Sequence, residues 1–267
     1  MGKRNLKVFI SVMAVIMVLL LAGIFLIGGS PAGESISEVM RDSVLHQNDR
    51  INFLGMQVNP GAISAFTVTG IVFVFALIVR IFVIPKFKRV PGKFQLVLEQ
   101  AVSFFDNLAK TNSPERNSFL GSYVFAAGVY IFLSTLFELL GLQAVTAHGH
   151  SVTLPAPLSD INAAIAMGCL SYLVILSGGI LSNGIKGIGK TLKEFSLPIS
   201  MSFRLFGGLL SGALVSELVY YYIQLSFVLP VIVGVMFTLL HALIQTYVLT
   251  LLTSLFYGEV SEKKKAK

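Results

Sequence analysis

Charge is what this sequence has least of. Only 12% of its 267 residues are Asp, Glu, Lys or Arg, whereas ordinary soluble domains carry roughly 25%. Hydrophobic residues make up 55%, and mean hydropathy is +0.82. So few charges cannot cover a water-exposed surface, which excludes an ordinary soluble domain and points to a membrane protein. Cysteine occurs once, as Cys169 inside an apolar run. An intrachain disulfide is therefore excluded, and the redox compartment cannot be read. Basic stripes interleaved with aromatics are also missing, so the formal net charge of +7 is no nucleic-acid footprint.

What is present is a series of apolar runs of about 20 residues, the length a helix needs to cross a hydrocarbon core roughly 30 Å thick. They are Val8–Ile27, Ile63–Ile84, Phe119–Leu142, Ile161–Leu181, about Phe195–Phe227 and about Val228–Tyr257. The fold class this predicts is an all-α membrane protein of about six membrane helices. The last two runs merge around Gln224–Pro230 and exceed one bilayer thickness, so they are expected as a long hairpin of tilted helices. Residues 1–30 read as an N-terminal anchor, with a cleaved signal peptide as the alternative. Residues 31–60 read as an extracytoplasmic segment, and 61–267 as a single membrane domain.

Lys and Arg favour the cytoplasmic side of short loops. Lys3, Arg4 and Lys7 open the chain, and Arg80, Lys86, Lys88, Arg89, Lys93, Lys110 and Arg116 surround the connection after the second run. Lys186, Lys190 and Lys193 follow the fourth, while Lys263, Lys264, Lys265 and Lys267 close the sequence. All fall on one side of a six-span topology, which predicts a multi-pass protein with both termini cytoplasmic.

"GIKGIGKT", Gly184 to Thr191, matches the phosphate-cradling pattern G-x-x-x-x-G-K-[ST], but that motif works between a strand and a helix. Here it follows a membrane helix, and its lysines suit a short cytoplasmic turn. No ATP binding is expected from it. The segment "VPGKFQLVLEQAVSFFDNLAKT" differs from its neighbours. Phe94, Val97, Leu98, Ala101, Val102, Phe105 and Leu108 recur at helical spacing, which predicts an amphipathic helix lying against membrane lipid.

Ionisable side chains at membrane depth are costly, about +2.5–3.5 kcal/mol for Arg at a helix centre on insertion scales. Arg204, in "LPISMSFRLFGGLLSGALVSELVYYY", is the outstanding one. Glu194 and Glu217 are ten residues before it and thirteen after it, roughly 15–20 Å away along a helix. A structural arginine paired within the bundle is the plain alternative. The spacing favours a cation awaiting an anion from elsewhere. Gly207, Gly208, Ser211, Gly212 and Ala213 supply a small-residue surface on which a partner helix can approach closely. Glu217 lies near the outer end of this helix, with His241 and Gln245 on the next. Glu138 ends the third span, and Asp160 and Asn162 open the fourth. Singly, Asp160 suits an N-cap and Glu138 an interfacial position. Together these polar groups can line a wet path from the outer face.

"LPISMSFRLFGGLLSG" and "HALIQTYVLTLLTSLFY" resemble the two most diagnostic helices of subunit a of F-type ATP synthases, and "VPGKFQ" and "LSDINAAIAM" resemble two further segments in the same order. The resemblance runs from about residue 50 to 258. It implies a stator subunit of a rotary motor in the bacterial cell membrane, with two half-channels carrying protons or sodium ions to the carboxylates of a c-ring. Arg204 would be the essential cation, with Gln245 opposite it. Glu217, His241, Glu138, Asp160, Asn162 and Glu194 are the candidate ion-path residues. The c-ring, peripheral-stalk subunit b and lipid are the implied partners, and no cofactor or metal is implied. Gly208, Ala213 and Thr238 depart from the family pattern, which has Asn, Glu or His, and His or Glu at these places. A secondary transporter or channel using Arg204 for an anionic substrate is the alternative, although no inverted repeat is visible.

Overall fold

The computed structural model describes residues 51–53, 56–113, 118–145, 151–222 and 229–262, with scattered positions before residue 42. Five helices among the described residues are long and apolar enough to cross a membrane: Pro60–Lys86, Phe119–Leu140, Ile161–Asn183, Ser196–Tyr221 and Pro230–Ser261. They coincide with five of the six predicted runs. The crossing expected at Val8–Ile27, and most of the turn expected at Gln224–Pro230, lie outside the described residues.

By contact the chain divides into two compact units. One comprises Asp49–Leu209 with Leu239–Lys267, the other Met1–Asn48 with Leu210–Thr238. The core of the larger unit is a cluster that includes Leu120, Val124, Ile131, Met167, Ile175, Met201, Leu205 and Leu249.

Helix α1 spans Pro60–Ile78. Asn59 caps it by accepting from the Gly61 N–H at 2.9 Å, and Pro60 stands where an N–H would have no helical partner. The helix runs on through a π-helical turn, Val79–Val83, and a 3₁₀ turn, Ile84–Lys86. Pro85 lacks an N–H and ends it there.

The next helix, α2 (Lys93–Asn112), is the predicted amphipathic one. Gln95 fastens its entry: the side-chain amide accepts from the Lys88 N–H at 3.1 Å and donates to the Lys88 carbonyl at 3.0 Å. The apolar face is divided. Phe105 and Ala109 are buried and Leu98, Ala101 and Leu108 half-buried, whereas Phe94, Val97 and Val102 point outward with Leu96 and Phe104. The inward part rests on α3 (Ser118–Leu136), where the Phe105 ring fills the space a Cβ at Gly128 would need. Phe104 reaches Tyr247, with ring centroids 6.5 Å apart. The outward part is apolar surface that suits lipid.

A 3₁₀ turn, Phe137–Leu140, ends α3, and Gly141 at φ 58° stops it in the left-handed conformation that favours glycine. Two short antiparallel pairs add what the sequence did not reveal. They are β1 (Ile51–Phe53) with β2 (Met56–Val58), and β3 (Gln143–Val145) with β4 (Ser151–Thr153). Each lies between or before membrane helices.

Helix α4 (Ile161–Asn183) begins at Asp160 and stops at Gly184, also at φ 58°. Helix α5 (Ile185–Leu192) turns back, held by a Tyr172 hydroxyl that donates to the Thr191 carbonyl at 3.1 Å. "GIKGIGKT" is thus a helix end, a turn and a second helix. Its lysine has a structural use. Lys190 Nζ donates to the Glu259 carbonyl, and Asn183 Nδ2 donates to the Val260 carbonyl at 2.9 Å. These are among the last carbonyls of α7 (Leu229–Ser261), which have no partner inside their own helix. A cation there also opposes the negative end of the helix dipole.

Helix α6 (Ser196–Tyr221) carries Arg204. It packs closely on α4, because a Cβ at Gly168 would overlap Ser202 Oγ. Of the predicted small-residue surface, Gly208 is used within the chain by His241, and Gly212 lies near Phe237. Gly207 has nothing near it and is exposed. In the larger unit, Ser200, Phe203, Arg204 and Gly207 form an exposed stripe along this helix.

Candidate functional site

Within the larger unit, α6 and α7 meet as an antiparallel pair around Arg204. Gln245 Nε2 donates to the Arg204 carbonyl at 2.8 Å. One turn further along each helix, the His241 ring lies against Gly208. A Cβ built on Gly208 would overlap His241 Cε1 and stand 2.6 Å from Nε2. The two contacts fix the register of the pair at Arg204. They explain why an amide and a missing side chain occur at these positions.

Arg204 itself points the other way. Its side chain is exposed and has no ion pair or hydrogen bond with any described residue. It stands eight residues into α6, roughly 12 Å along the axis from Ser196. A guanidinium at that depth cannot face hydrocarbon cheaply.

The seam behind Arg204 is polar and underpaired. Gln245 is 6% exposed, and while its amide nitrogen is committed to Arg204, its Oε1 is buried with no partner among the described residues. His241 Nε2 is buried and unpartnered in the same sense. His241 and Gln245 are four residues apart and share a face of α7. Sequence reading found both residues but missed the fit of His241 to Gly208 and the bond from Gln245 to the Arg204 carbonyl. Neither has a signal in periodicity, because both depend on the register between two helices.

The remaining candidates are placed as follows. Asp160 caps α4, with Oδ1 accepting from the Asn162 N–H at 2.7 Å. Its Oδ2 would lie 3.4 Å from a Cβ on Gly61, so the carboxylate sits at the capped start of α1 as well. Asn162 has an exposed side chain. Glu138 lies in the 3₁₀ turn after α3, half-buried. Its carboxylate has no partner among the described residues. Glu194 stands in the turn between α5 and α6, its N–H donating to the Thr191 carbonyl at 3.0 Å. Those four are not brought to Arg204 by any described contact. Glu217 belongs to the smaller unit and is half-buried on α6.

Five apolar spans, with an exposed arginine on one of them, define a polytopic helical membrane protein. Residues 62–258 match the family model described as ATP synthase A chain. The match covers most of the sequence, and the chain belongs to this family, the ion-conducting stator subunits of ATP synthases. It is 23% identical over 233 residues to ATP synthase subunit a 2 of Vibrio campbellii, covering 77% of this chain and 89% of that one. It is also 26% identical over 197 residues to ATP synthase subunit a from two strains of Histophilus somni, covering 62% of this chain and 73% of each.

Proposed function

We propose that Arg204 is the fixed cation past which the ion-carrying carboxylates of a rotating c-ring move, and that the exposed stripe Ser200, Phe203, Arg204 and Gly207 is the surface meeting that ring. The observation carrying this reading is the outward guanidinium, unpaired among the described residues, at membrane depth. A fixed cation lowers the pKa of a passing carboxyl group, so the bound proton or sodium ion is expelled into an exit path. It also bars a direct leak between an entry and an exit half-channel. One elementary charge crossing 100 mV gains about 2.3 kcal/mol, which such a ring converts to torque.

In this reading residues 61–267 act as one ion-translocating domain, with 1–30 as an anchor and 31–60 on the extracytoplasmic side. Gln245 sets the arginine's backbone. Glu217, His241, Glu138, Asp160 and Asn162 serve the outer path, and Glu194 stands at the inner mouth. The lysine-rich loops and both termini face the cytoplasm of a bacterial cell, where subunit b of the peripheral stalk is the second protein partner. Nucleotide chemistry stays with other subunits.

The test is a cross-link. Gly207→Cys, in a Cys169→Ser background, should form a disulfide with single cysteines placed beside the membrane carboxylate of the ring subunit in the assembled complex. Cysteines one helix face away on the ring subunit should not react. Equal yield from both faces would refute the assignment of this stripe.

A further inference from the structure

Two observations about the α6–α7 seam are not used by a fixed cation and a ring. The first is steric: Gly208 has no room for a Cβ because the His241 ring occupies that space. An imidazole in a seam between membrane helices has therefore been admitted by removing the side chain opposite. The second is an imbalance of hydrogen bonds. His241 Nε2 and Gln245 Oε1 are buried and without partners among the described residues, although a buried polar atom left unpaired costs about 1–3 kcal/mol. Gln245 cannot relieve this by turning its amide, since its nitrogen is held by the Arg204 carbonyl.

We propose that Gly208 and His241 are a matched pair, in which the glycine makes room for the imidazole so that His241 and Gln245 together hold water one helical turn from Arg204. This rests on the reading of Arg204 given above and adds the nearest hydrated station to it. A water there donates one hydrogen to Gln245 Oε1 and either accepts from His241 Nε2–H or donates its other hydrogen to a bare Nε2. Two polar partners are enough to retain a buried water. The role is to bind and orient water, and His241 is a positioning residue here.

Two measurements test it. In assembled complexes with Cys169→Ser, the silver ion, a water-sized thiol reagent, should block His241→Cys against later alkylation in denaturant. The rate should exceed that for Leu243→Cys, an apolar exposed position on the same helix, by about tenfold or more, because only the first opens on water. Equal rates would overturn the proposal. The second compares His241→Leu with His241→Gln in passive ion conduction through vesicles stripped of the catalytic head. Leu should reduce conduction about tenfold, and Gln, which keeps a hydrogen-bonding group, should recover to within about threefold of wild type. Wild-type conduction in Leu, or no recovery in Gln, would also overturn it. Failure of the arginine assignment shows differently, as ATP synthesis surviving Arg204→Ala while the thiol of the His241→Cys variant still reacts with silver.

Discussion

At the scale of single residues the chain separates two uses of polarity. Gln245 spends its amide nitrogen on the backbone of Arg204, so the helix is fixed in register while the guanidinium stays exposed. Gln245→Leu removes that bond, worth about 0.5–1.5 kcal/mol net, and should lower ion-driven ATP synthesis by roughly three- to tenfold with the chain still assembled. Synthesis at the wild-type rate in purified, reconstituted enzyme would show that the clamp is dispensable. The outer path has its own test at Glu217. Glu217→Gln should slow passive conduction and Glu217→Leu nearly stop it. Ala213→Glu, one turn away on a similar face, should restore part of the flux to the Leu variant. Unchanged conduction in Glu217→Leu would move the entry path to Glu138 and Asp160.

At the scale of elements, the helices were legible and their pairing was not. Runs of about 20 apolar residues allow little except a membrane helix, so five of the expected spans coincide with observed helices. The amphipathic α2 was recognised by spacing, but spacing could not say that its apolar residues serve two surfaces, with Phe105 set on Gly128 and Phe94, Val97 and Val102 turned outward. The strands of β1–β2 and β3–β4 are three residues each, too short to show alternation. "GIKGIGKT" folds as a helix end, a turn and a second helix, without the strand that a nucleotide loop requires before it. The part played by Lys190 at the end of α7 lay beyond the sequence, because it joins segments far apart in the chain. Lys190→Ala should leave the isolated subunit without saturable ATP binding, as before. It should also lower stability by up to about 1 kcal/mol through the lost cation at the C-terminus of α7. ATP binding lost in that variant would overturn the reading, and calorimetry of the detergent-solubilised chain measures the second effect.

At the scale of the whole molecule, the sequence supplied the membrane class from scarcity of charge, and the family from residues around Arg204 and Gln245 that the match over 62–258 then bore out. Arg204 was singled out by its cost alone. What it faces could not be read, since no described residue of this chain pairs with its side chain. The basic loops predict that cysteines introduced at Lys88 and Lys190 react with an impermeant maleimide only from the cytoplasmic side of intact cells and inverted vesicles. Labelling of either from the outside would reverse the topology. The central claim is that a fixed, planar cation at position 204 couples ion movement to synthesis, and one measurement bears on it most directly: ATP synthesis driven by an imposed ion gradient in membrane vesicles carrying Arg204→Ala or Arg204→Lys. Assembly should be largely intact in both, because the side chain contacts no described residue by hydrogen bond or ion pair. Synthesis should be abolished in Arg204→Ala and nearly so in Arg204→Lys, whose ammonium lacks the guanidinium's fixed fork. Normal coupled synthesis in Arg204→Lys vesicles would contradict the account.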